Sequence, residues 1–332
     1  MIRKKKINLF PRIIYLFAKK NASLTFAKFL LFRLTVAIFR ILGKYVDFDF
    51  NRFWSVNSLP FTDLETNQGP KEEFAESIDL TFVATLKDLE VLKVALPSAQ
   101  KSLGYFYSNK TRLIVPGKML KVFLRELGSH GMENVELIAE EDLCPAQSRN
   151  KLVSCFGTRS GWILQQFLKL QSVQTSESNY TLVVDADTVL LCGRDWINSE
   201  GKLLIMPSWE YHEGYYLLLE QIQILSERPK YSFITHHMLY KKEFLMNAVN
   251  HAGFGSTLEL FDYAIDQSSL TPLQMSLDYE FYSQYVYNFR SAEIRLEKWS
   301  NHSISPEIFR MHAADLSSKF GDYASVSAHN YN

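Results

Sequence analysis

LVVDADTVLL, residues 182–191, places two carboxylates between two apolar runs. The run before Asp185 is continuous rather than alternating, which is typical of a strand buried on both faces in a parallel α/β sheet. Side chains at positions i and i+2 of an extended segment point to the same side, so Asp185 and Asp187 should project together from the end of this strand. Open α/β sheets bind ligands at the carboxyl ends of their strands. The stretch therefore predicts an α/β fold and the position of its site.

The paired carboxylates predict a metal site. Two like charges close together raise each other's pKa unless a cation lies between them. Mg²⁺ and Mn²⁺ suit such a pair, because they take one or two carboxylates and leave the other positions to water and phosphate oxygens. The alternative interpretation of Asp185 and Asp187 is a helix cap and a turn without any ligand.

Charge is distributed unevenly along the 332 residues. Residues 1–44 carry eleven basic and no acidic side chains, whereas the remainder carries 25 basic and 36 acidic ones, a net charge of −11. An acidic body argues against nucleic acid as the partner. The three cysteines are an odd number without metal-site spacing, which favours a reducing cytoplasm. The hydrophobic content of 47% predicts one catalytic domain with appendages rather than two equal domains.

Residues 1–46 read as a basic amphipathic helical extension. Lys28, Arg33 and Arg40 interrupt its apolar stretch, so no run reaches the ~18–20 residues that a spanning helix needs. A signal peptide is disfavoured for the same reason. We expect this segment to lie on an anionic membrane surface, at the inner face of the cytoplasmic membrane. The alternative is that it packs on the enzyme or forms an oligomer contact.

Residues 47–77 read as a linker, and residues 78–332 as the catalytic domain. Strands are predicted at 78–85, 112–116 and 135–139, with helices at 88–103 and 118–127 between them, the rhythm of a doubly wound nucleotide-binding half. We divide the domain into a nucleotide-binding half (78–190), an acceptor half (191–315) and a polar tail (316–332). Further strands are predicted at 202–207 and 231–236. Neither a G-x-G-x-x-G after the first strand nor a P-loop occurs, which disfavours dinucleotide oxidoreductases and NTPases.

Two groups of polar residues could contact a substrate in the first half. Thr85 and Asp88 follow the first strand, where they could meet a base or a ribose, although helix capping explains Asp88 equally well. A predicted helix at 161–173 carries one polar stripe, which a solvent-facing side would also show. That stripe, which could contact a sugar and a phosphate, consists of Trp162, Gln165 or Gln166, and Lys169.

The second half offers histidines and carboxylates. His212 lies in an aromatic loop, and His236 and His237 are adjacent, so at most one of that pair can face a given ion. A contact with the acceptor or a phosphate is the preferred interpretation, and a satisfied core histidine is the alternative. Asp278 opens a helix, where it could deprotonate an incoming hydroxyl or simply favour the helix dipole.

Five blocks in this order resemble metal-dependent glycosyltransferases of the GT-A fold, and more narrowly a group of little-characterised bacterial sugar-transferase-like proteins. The blocks are GW with QQ and KL within 161–170, VDADTVL at 184–190, EYH at 210–212, Ser232 with HHM at 236–238, and DYE at 278–280. The resemblance implies a nucleotide-diphospho-sugar transferase fold with a mainly parallel central sheet flanked by helices. It also implies that Asp185 and Asp187 bind Mn²⁺ or Mg²⁺, with a later histidine, His312, completing the metal shell. The acidic pair of that group is usually Glu-Tyr-Glu, which points to Asp278 as the base and Glu280 as second choice.

The predicted activity is transfer of a sugar from a nucleotide-diphosphate donor to a hydroxyl of a glycan or lipid-linked acceptor in polysaccharide biosynthesis, by a single inverting displacement. Retention of configuration becomes the better prediction if neither carboxylate reaches the acceptor. One alternative is a haloacid-dehalogenase-type phosphatase with Asp185 as nucleophile, although three strands precede the motif here and no later Asp-Asp pair follows. The other is a catalytically inactive protein that binds a nucleotide sugar or a glycan.

Overall fold

The computed structural model describes residues 55–61, 77–103, 108–132, 134–208, 210–267, 271–275 and 277–328. All of these ranges belong to one unit, Asn51–Asn332. The predicted extension at 1–46 and most of the predicted linker lie outside the described residues. None of the helices in the ranges given above is long and apolar enough to cross a membrane.

A five-stranded sheet in the order β3-β2-β1-β4-β7 forms the centre of this unit. The strands are β1 (Ile78–Val83), β2 (Ser108–Val115), β3 (Val135–Ala139), β4 (Tyr180–Asp185), β5 (Thr188–Leu190), β6 (Leu203–Ile205), β7 (His237–Lys241), β8 (Ile294–Leu296), β9 (Asn301–Ile304) and β10 (Ser325–Ala328). The first four strands pair in parallel, and β7 adds an antiparallel edge next to β4. The predicted α/β class with a mainly parallel sheet is confirmed.

Helices cover both the strands and the site. They are α1 (Leu89–Ser102), α2 (Leu120–Gly128), α3 (Glu140–Leu143), α4 (Ala146–Phe156), α5 (Ser160–Thr175), α6 (Leu217–Gln221), α7 (Lys242–His251), α8 (Thr257–Asp266), α9 (Asp278–Phe289), α10 (Pro306–His312) and α11 (Leu316–Phe320). Helix α5 packs on β1 and β4, and α9 packs on α5 and α7. Leu182, Val183 and Val184 are fully buried, which explains the unbroken apolar run that precedes Asp185.

The chain that follows Asp187 in the sequence forms two small sheets. Strand β10 lies between β5 and β9, and β6 pairs with β8. The amide of Ala328 donates to the carbonyl oxygen of Asp187 at 2.8 Å, so β10 fixes the backbone directly after β4. The prediction of a polar tail from residue 316 is therefore wrong for the described part of that segment. The short side chains of SVSA fit a buried strand whose hydroxyls are paired, as in the 2.8 Å bond between Ser327 and Thr188.

The strand predicted at 231–236 is wrong as well. Ser232 makes only an isolated bridge with Ser208, and the regular strand begins at His237. His236, immediately before it, has a φ of 64°. Its carbonyl oxygen accepts a hydrogen bond from the amide of Asp185 at 2.8 Å, so this turn is fixed to the end of β4.

Candidate active site

Lys169 of α5 connects two carboxylates that come from different halves of the chain. Its ammonium nitrogen lies 2.5 Å from Oδ1 of Asp185, at the end of β4, and 2.7 Å from Oδ2 of Asp278, in the first turn of α9. Lys169 is only 4% exposed. Burial lowers the pKa of its ammonium group, but the two carboxylates outweigh this effect and raise the pKa above its ordinary value. The site therefore contains a permanent buried cation between two anions.

Asp185 accepts two further hydrogen bonds. The hydroxyl of Tyr279 donates to Oδ1 at 2.8 Å, and Nδ1 of His236 lies 3.1 Å from Oδ2. The ammonium of Lys169 also lies 4.4 Å from the centre of the Tyr279 ring. Burial alone would raise the pKa of Asp185, yet Lys169 and His236 hold it well below its usual range. Asp185 therefore stays ionised at neutral pH.

His236 adopts a backbone conformation that is rare for residues other than glycine. Its ring packs 5.6 Å from the ring of Trp299, whose indole N–H donates to the carbonyl oxygen of Thr235 at 2.9 Å. The contacts to Trp299 and Asp185 thus fix the ring from two sides. Burial lowers the pKa of His236, but the hydrogen bond to Asp185 more than compensates, and the net shift is upward. Strained residues of this kind are concentrated at functional sites.

Asp187 lies at the more open side of the site. It is partly exposed, and the hydroxyl of Thr188 donates to its Oδ1 at 3.4 Å. Asp88 lies near enough that the charge of Asp187 adds to the burial that raises the pKa of Asp88. Asp88 also accepts a hydrogen bond from the amide of Thr85 at 2.9 Å, so its capping role is confirmed, and its contact with a base or ribose stays a prediction. The ends of β1 and β4 therefore meet, as the sequence predicts.

The described residues contain no group of three or more His, Cys, Asp and Glu side chains that could hold a metal ion. His312 lies at the end of α10, where its ring pairs with Asp315 at 3.5 Å, so its predicted place beside Asp185 and Asp187 is wrong. Two carboxylates at the end of a strand nevertheless fit a hard divalent ion that keeps several water molecules. Asp185 already accepts three hydrogen bonds, from Lys169, Tyr279 and His236.

Glu280 faces the interior and not the site. It is fully buried, and Oε1 accepts hydrogen bonds from the hydroxyls of Ser232 and Tyr216 and from the amide of Phe233, at 2.6, 3.0 and 3.0 Å. Burial raises the pKa of Glu280, while these donors oppose the shift. A fourth bond, from Nε2 of Gln284 to Oε2 at 2.8 Å, completes the set. The buried carboxylate thus ties the loop before β7 to α9, so its prediction as an alternative base is wrong.

Two further predicted substrate contacts also have structural roles. Oε1 of Gln166 accepts the amide of Leu277 at 2.8 Å and thereby fixes the start of α9. The ring of His237 is buried in the core, in an edge-on contact 6.0 Å from Trp196, and burial lowers its pKa to about 3. His236 thus faces Asp185 from the turn before β7, whereas the ring of His237, the first residue of β7, packs against Trp196 in the core.

The remaining predicted contacts lie along α5 and the loop before α6. Nε2 of Gln165 lies 3.4 Å from the carbonyl oxygen of Val83, at the end of β1. Trp162 and His212 lie on either side of Tyr215, with ring centres 6.3 and 4.8 Å from its ring. Tyr215 and Tyr279 are not among the residues that the sequence predicts for the site. Only their places in EGYY and DYE could have indicated them.

No model of a known protein family matches the chain, and no curated protein matches it. Similar solved structures include the galactosyltransferase LgtC in complex with donor and acceptor sugar analogs, with 14% identity, a TM-score of 0.41, and coverage of 76% of this chain and 88% of that one. The apo bifunctional glycosyltransferase WbbM has 10% identity and a TM-score of 0.39, over 80% of this chain and 48% of its own. GlyE, a glycosyltransferase of Streptococcus pneumoniae TIGR4, has 11% identity and a TM-score of 0.38, over 77% and 55%. All three are glycosyltransferases, and these values are too low to carry their activities over to this chain.

Proposed function

We propose that the protein is a glycosyltransferase that moves a sugar from a nucleotide-diphosphate donor to a hydroxyl of a glycan or lipid-linked acceptor. The main support is the convergence of sequence blocks that lie far apart in the chain. Lys169 and Asp278 are separated by 109 positions, yet they form a buried ion pair that also includes Asp185. His236 and Tyr279 join the same carboxylate. A sheet edge that assembles these groups is where an α/β protein would bind such a donor.

On the donor side, Asp187 and Asp185 would hold Mg²⁺ or Mn²⁺ together with water and the diphosphate oxygens. When bound, the ion supplies Lewis-acid neutralisation of the charge that builds on the leaving diphosphate. Lys169 and His236 keep Asp185 ionised and oriented. Thr85 and Asp88, at the end of β1, are the candidates for contacts with the nucleoside.

On the acceptor side, Asp278 is the remaining candidate for the base, because Glu280 is fully bonded in the interior. The acceptor oxygen would attack the anomeric carbon while the bond from that carbon to the diphosphate breaks. The hydroxyl proton would pass to Asp278, and the configuration would invert. Lys169, at 2.7 Å, fixes the carboxylate of Asp278 before the acceptor arrives.

The test compares Asp187→Ala with wild type in Mn²⁺ binding and in hydrolysis of a panel of nucleotide sugars. We expect weaker Mn²⁺ binding and a loss of turnover of at least about 100-fold, or ~2.7 kcal/mol of transition-state stabilisation. The matched control is Asp315→Ala. Asp315 is an exposed carboxylate that pairs with His312, which is not part of the candidate site. Equal turnover of wild type and Asp187→Ala would refute the metal role. Wild-type protein that neither binds nor turns over any nucleotide sugar would refute the transferase.

The phosphatase alternative gains no support from the geometry. It requires an oxygen of Asp185 to attack phosphorus, yet Lys169 and Tyr279 lie against Oδ1 and His236 against Oδ2. The second alternative, a protein that binds a nucleotide sugar without turnover, would be recognised in the same assay by Mn²⁺-dependent binding alone.

We also propose that residues 1–44 attach the protein to an anionic membrane surface. The support is the eleven basic residues without a single acid, on a chain whose remainder has a net charge of −11. Each basic residue near such a surface contributes roughly 1 kcal/mol to binding. This location, at the inner face of the cytoplasmic membrane, would give the enzyme access to lipid-linked acceptors.

A further inference from the structure

An aromatic cluster lies beside the candidate base and has no role in the chemistry proposed above. It consists of Trp162 in the first turn of α5, Tyr215 before α6, and His212 in the preceding loop; we call these three residues the aromatic shelf. Tyr215 contacts both other rings, with ring centres 6.3 Å from Trp162 and 4.8 Å from His212. Tyr215 is buried and Trp162 packs against the main hydrophobic core, whereas the side chain of His212 is half exposed. Core packing therefore accounts for one side of the cluster, and the other side is available to a ligand.

The shelf is open to solvent on one side. The side chain of His212 is 49% exposed, and Trp162 is partly exposed. Glu210 lies next to it, with Oε1 3.2 Å from Nε2 of His212. A carboxylate that orients an exposed imidazole can accept further hydrogen bonds from hydroxyl groups. Flat apolar rings beside a few polar groups are the composition expected of a small-molecule site.

The position of the shelf relates it to the acceptor side of the site. Trp162 and Lys169 lie on one face of α5, seven residues apart, which is about 10 Å along the helix axis. The turn Glu213–Tyr216, which carries Tyr215, packs against Pro272–Gln274, four residues before Asp278. The shelf therefore adjoins the segment that leads into the candidate base.

We propose that Trp162, His212 and Tyr215 form a stacking platform for a sugar ring of the acceptor, so that the acceptor is a saccharide and not a bare lipid alcohol. This inference rests on the proposed function, because only a transferase has an acceptor. The apolar C–H face of a pyranose would lie on the rings, and its hydroxyls would donate to Glu210. The saccharide would extend from the shelf toward Asp278, where its terminal hydroxyl would react.

Binding can be tested without turnover by saturation-transfer NMR with lactose, maltose, cellobiose and chitobiose as probes on the full-length protein. Irradiation of aromatic protein protons should transfer magnetisation to the C–H protons of at least one disaccharide. In Trp162→Leu and in His212→Ala we expect the Kd for that disaccharide to rise about 10-fold, as for the loss of one aromatic contact. His212 lies in an exposed loop, so its variant keeps the test valid if Trp162→Leu does not fold.

The matched control is Phe289→Leu, which removes an exposed aromatic ring at the other end of α9. It should leave both the disaccharide Kd and transfer unchanged.

The second measurement is the Kd of whichever of UDP, GDP, CDP or ADP binds wild type best. Weaker nucleotide binding in the shelf variants, with saccharide binding intact, would overturn the proposal in favour of a base-stacking site. An unchanged disaccharide Kd in both variants, or no saccharide signal in wild type, would also overturn it. If disaccharides bind on the shelf but no nucleotide sugar is bound or turned over, the proposed function fails while the saccharide site stands.

Discussion

At the residue scale, Lys169 determines whether the two acidic groups of the site can coexist. Its buried ammonium lies within 2.7 Å of both Asp185 and Asp278. Removing one partner of a buried ion pair leaves an uncompensated charge, which is far more costly than the pair itself is stabilising. This residue therefore links the stability of the protein to its proposed chemistry.

Lys169→Met should lower the free energy of unfolding at pH 7 by roughly 3–5 kcal/mol, measured by urea denaturation, with exposed Lys319→Met as the control. The deficit should shrink in acid. In wild type the pKa of Asp185 is depressed, so its stabilising contribution is present above the unfolded pKa of about 3.9 and is lost as the pH falls toward the folded value. In the variant His236 still opposes the effect of burial, but without Lys169 the carboxylate of Asp185 takes up a proton more readily. A deficit that is constant between pH 7 and pH 4 would contradict this account.

Asp278→Asn and Glu280→Gln should separate chemistry from architecture. We expect Asp278→Asn to lower kcat for transfer by about 10²–10⁴-fold, the usual contribution of a general base, with little change in nucleotide affinity. Glu280→Gln keeps an oxygen for Ser232 and Phe233 and should retain transfer, with some loss of stability because Gln284 then meets a second amide. The anomeric configuration of the product, read by NMR, completes the test. Transfer by Asp278→Asn at the wild-type rate, with a retained anomer, would exclude the inverting mechanism.

At the element scale, β10 is the strand that holds the loop after β4. It lies between β5 and β9, and its Ala328 and Ser327 bond to Asp187 and Thr188. Without β10, the buried hydroxyl of Thr188 would lose its 2.8 Å bond to Ser327 and keep only the longer one to Asp187, and the backbone of β5 would lose its neighbour. Each unsatisfied buried group costs about 1–3 kcal/mol.

A chain ending at Phe320 should therefore be markedly less stable in thermal unfolding than a chain ending at Ala328, which keeps the strand. Equal melting temperatures for the two truncated chains would show that β10 is dispensable.

Elements with a long, unambiguous apolar pattern could be predicted from the sequence. β3 has the predicted bounds, and the helix predicted at 161–173 is α5. β10 could not be predicted, because SVSA has too few apolar residues and is buried only through pairing with β5 and β9. The strand expected at 231–236 was misplaced because YSFITH alternates like a strand, whereas hydrogen bonds to Glu280 hold that segment as a loop.

The residues of the candidate site could likewise be predicted only in part. Asp185, Lys169 and Asp278 could be identified from local patterns, yet their mutual ion pairs depend on long-range packing of α9 on α5. Glu280 and Gln166 are residue types that often contact substrates. In the fold both side chains are buried and bond to protein groups, so their role is structural. The prediction for His312 is wrong because the place of a histidine late in the sequence does not indicate which strand end its side chain will approach.

At the scale of the whole molecule, the charge asymmetry should govern attachment to lipid. Full-length protein should co-sediment with vesicles containing phosphatidylserine and not with vesicles of phosphatidylcholine alone, and added salt should reduce binding. Replacing Lys4, Lys5 and Lys6 by serine should weaken binding by about 100-fold, at roughly 1 kcal/mol per charge.

The same number of replacements on the exposed surface of the described unit, at Lys101, Lys118 and Lys121, serves as the control. Equal losses in the two triple variants would mean that general charge, and not the amino-terminal segment, determines attachment.

The late position of β10 in the chain has a consequence for biosynthesis. Strands β1 to β4 can pair as soon as they emerge from the ribosome, but the loop that carries Asp187 waits for β10. Ser325 of β10 pairs with Leu190, 135 positions earlier, and the bond to Asp187 forms only at Ala328. A nascent chain can thus contain Asp185 and Asp278 in their ion pairs with Lys169 while the backbone at Asp187 still lacks its partner strand.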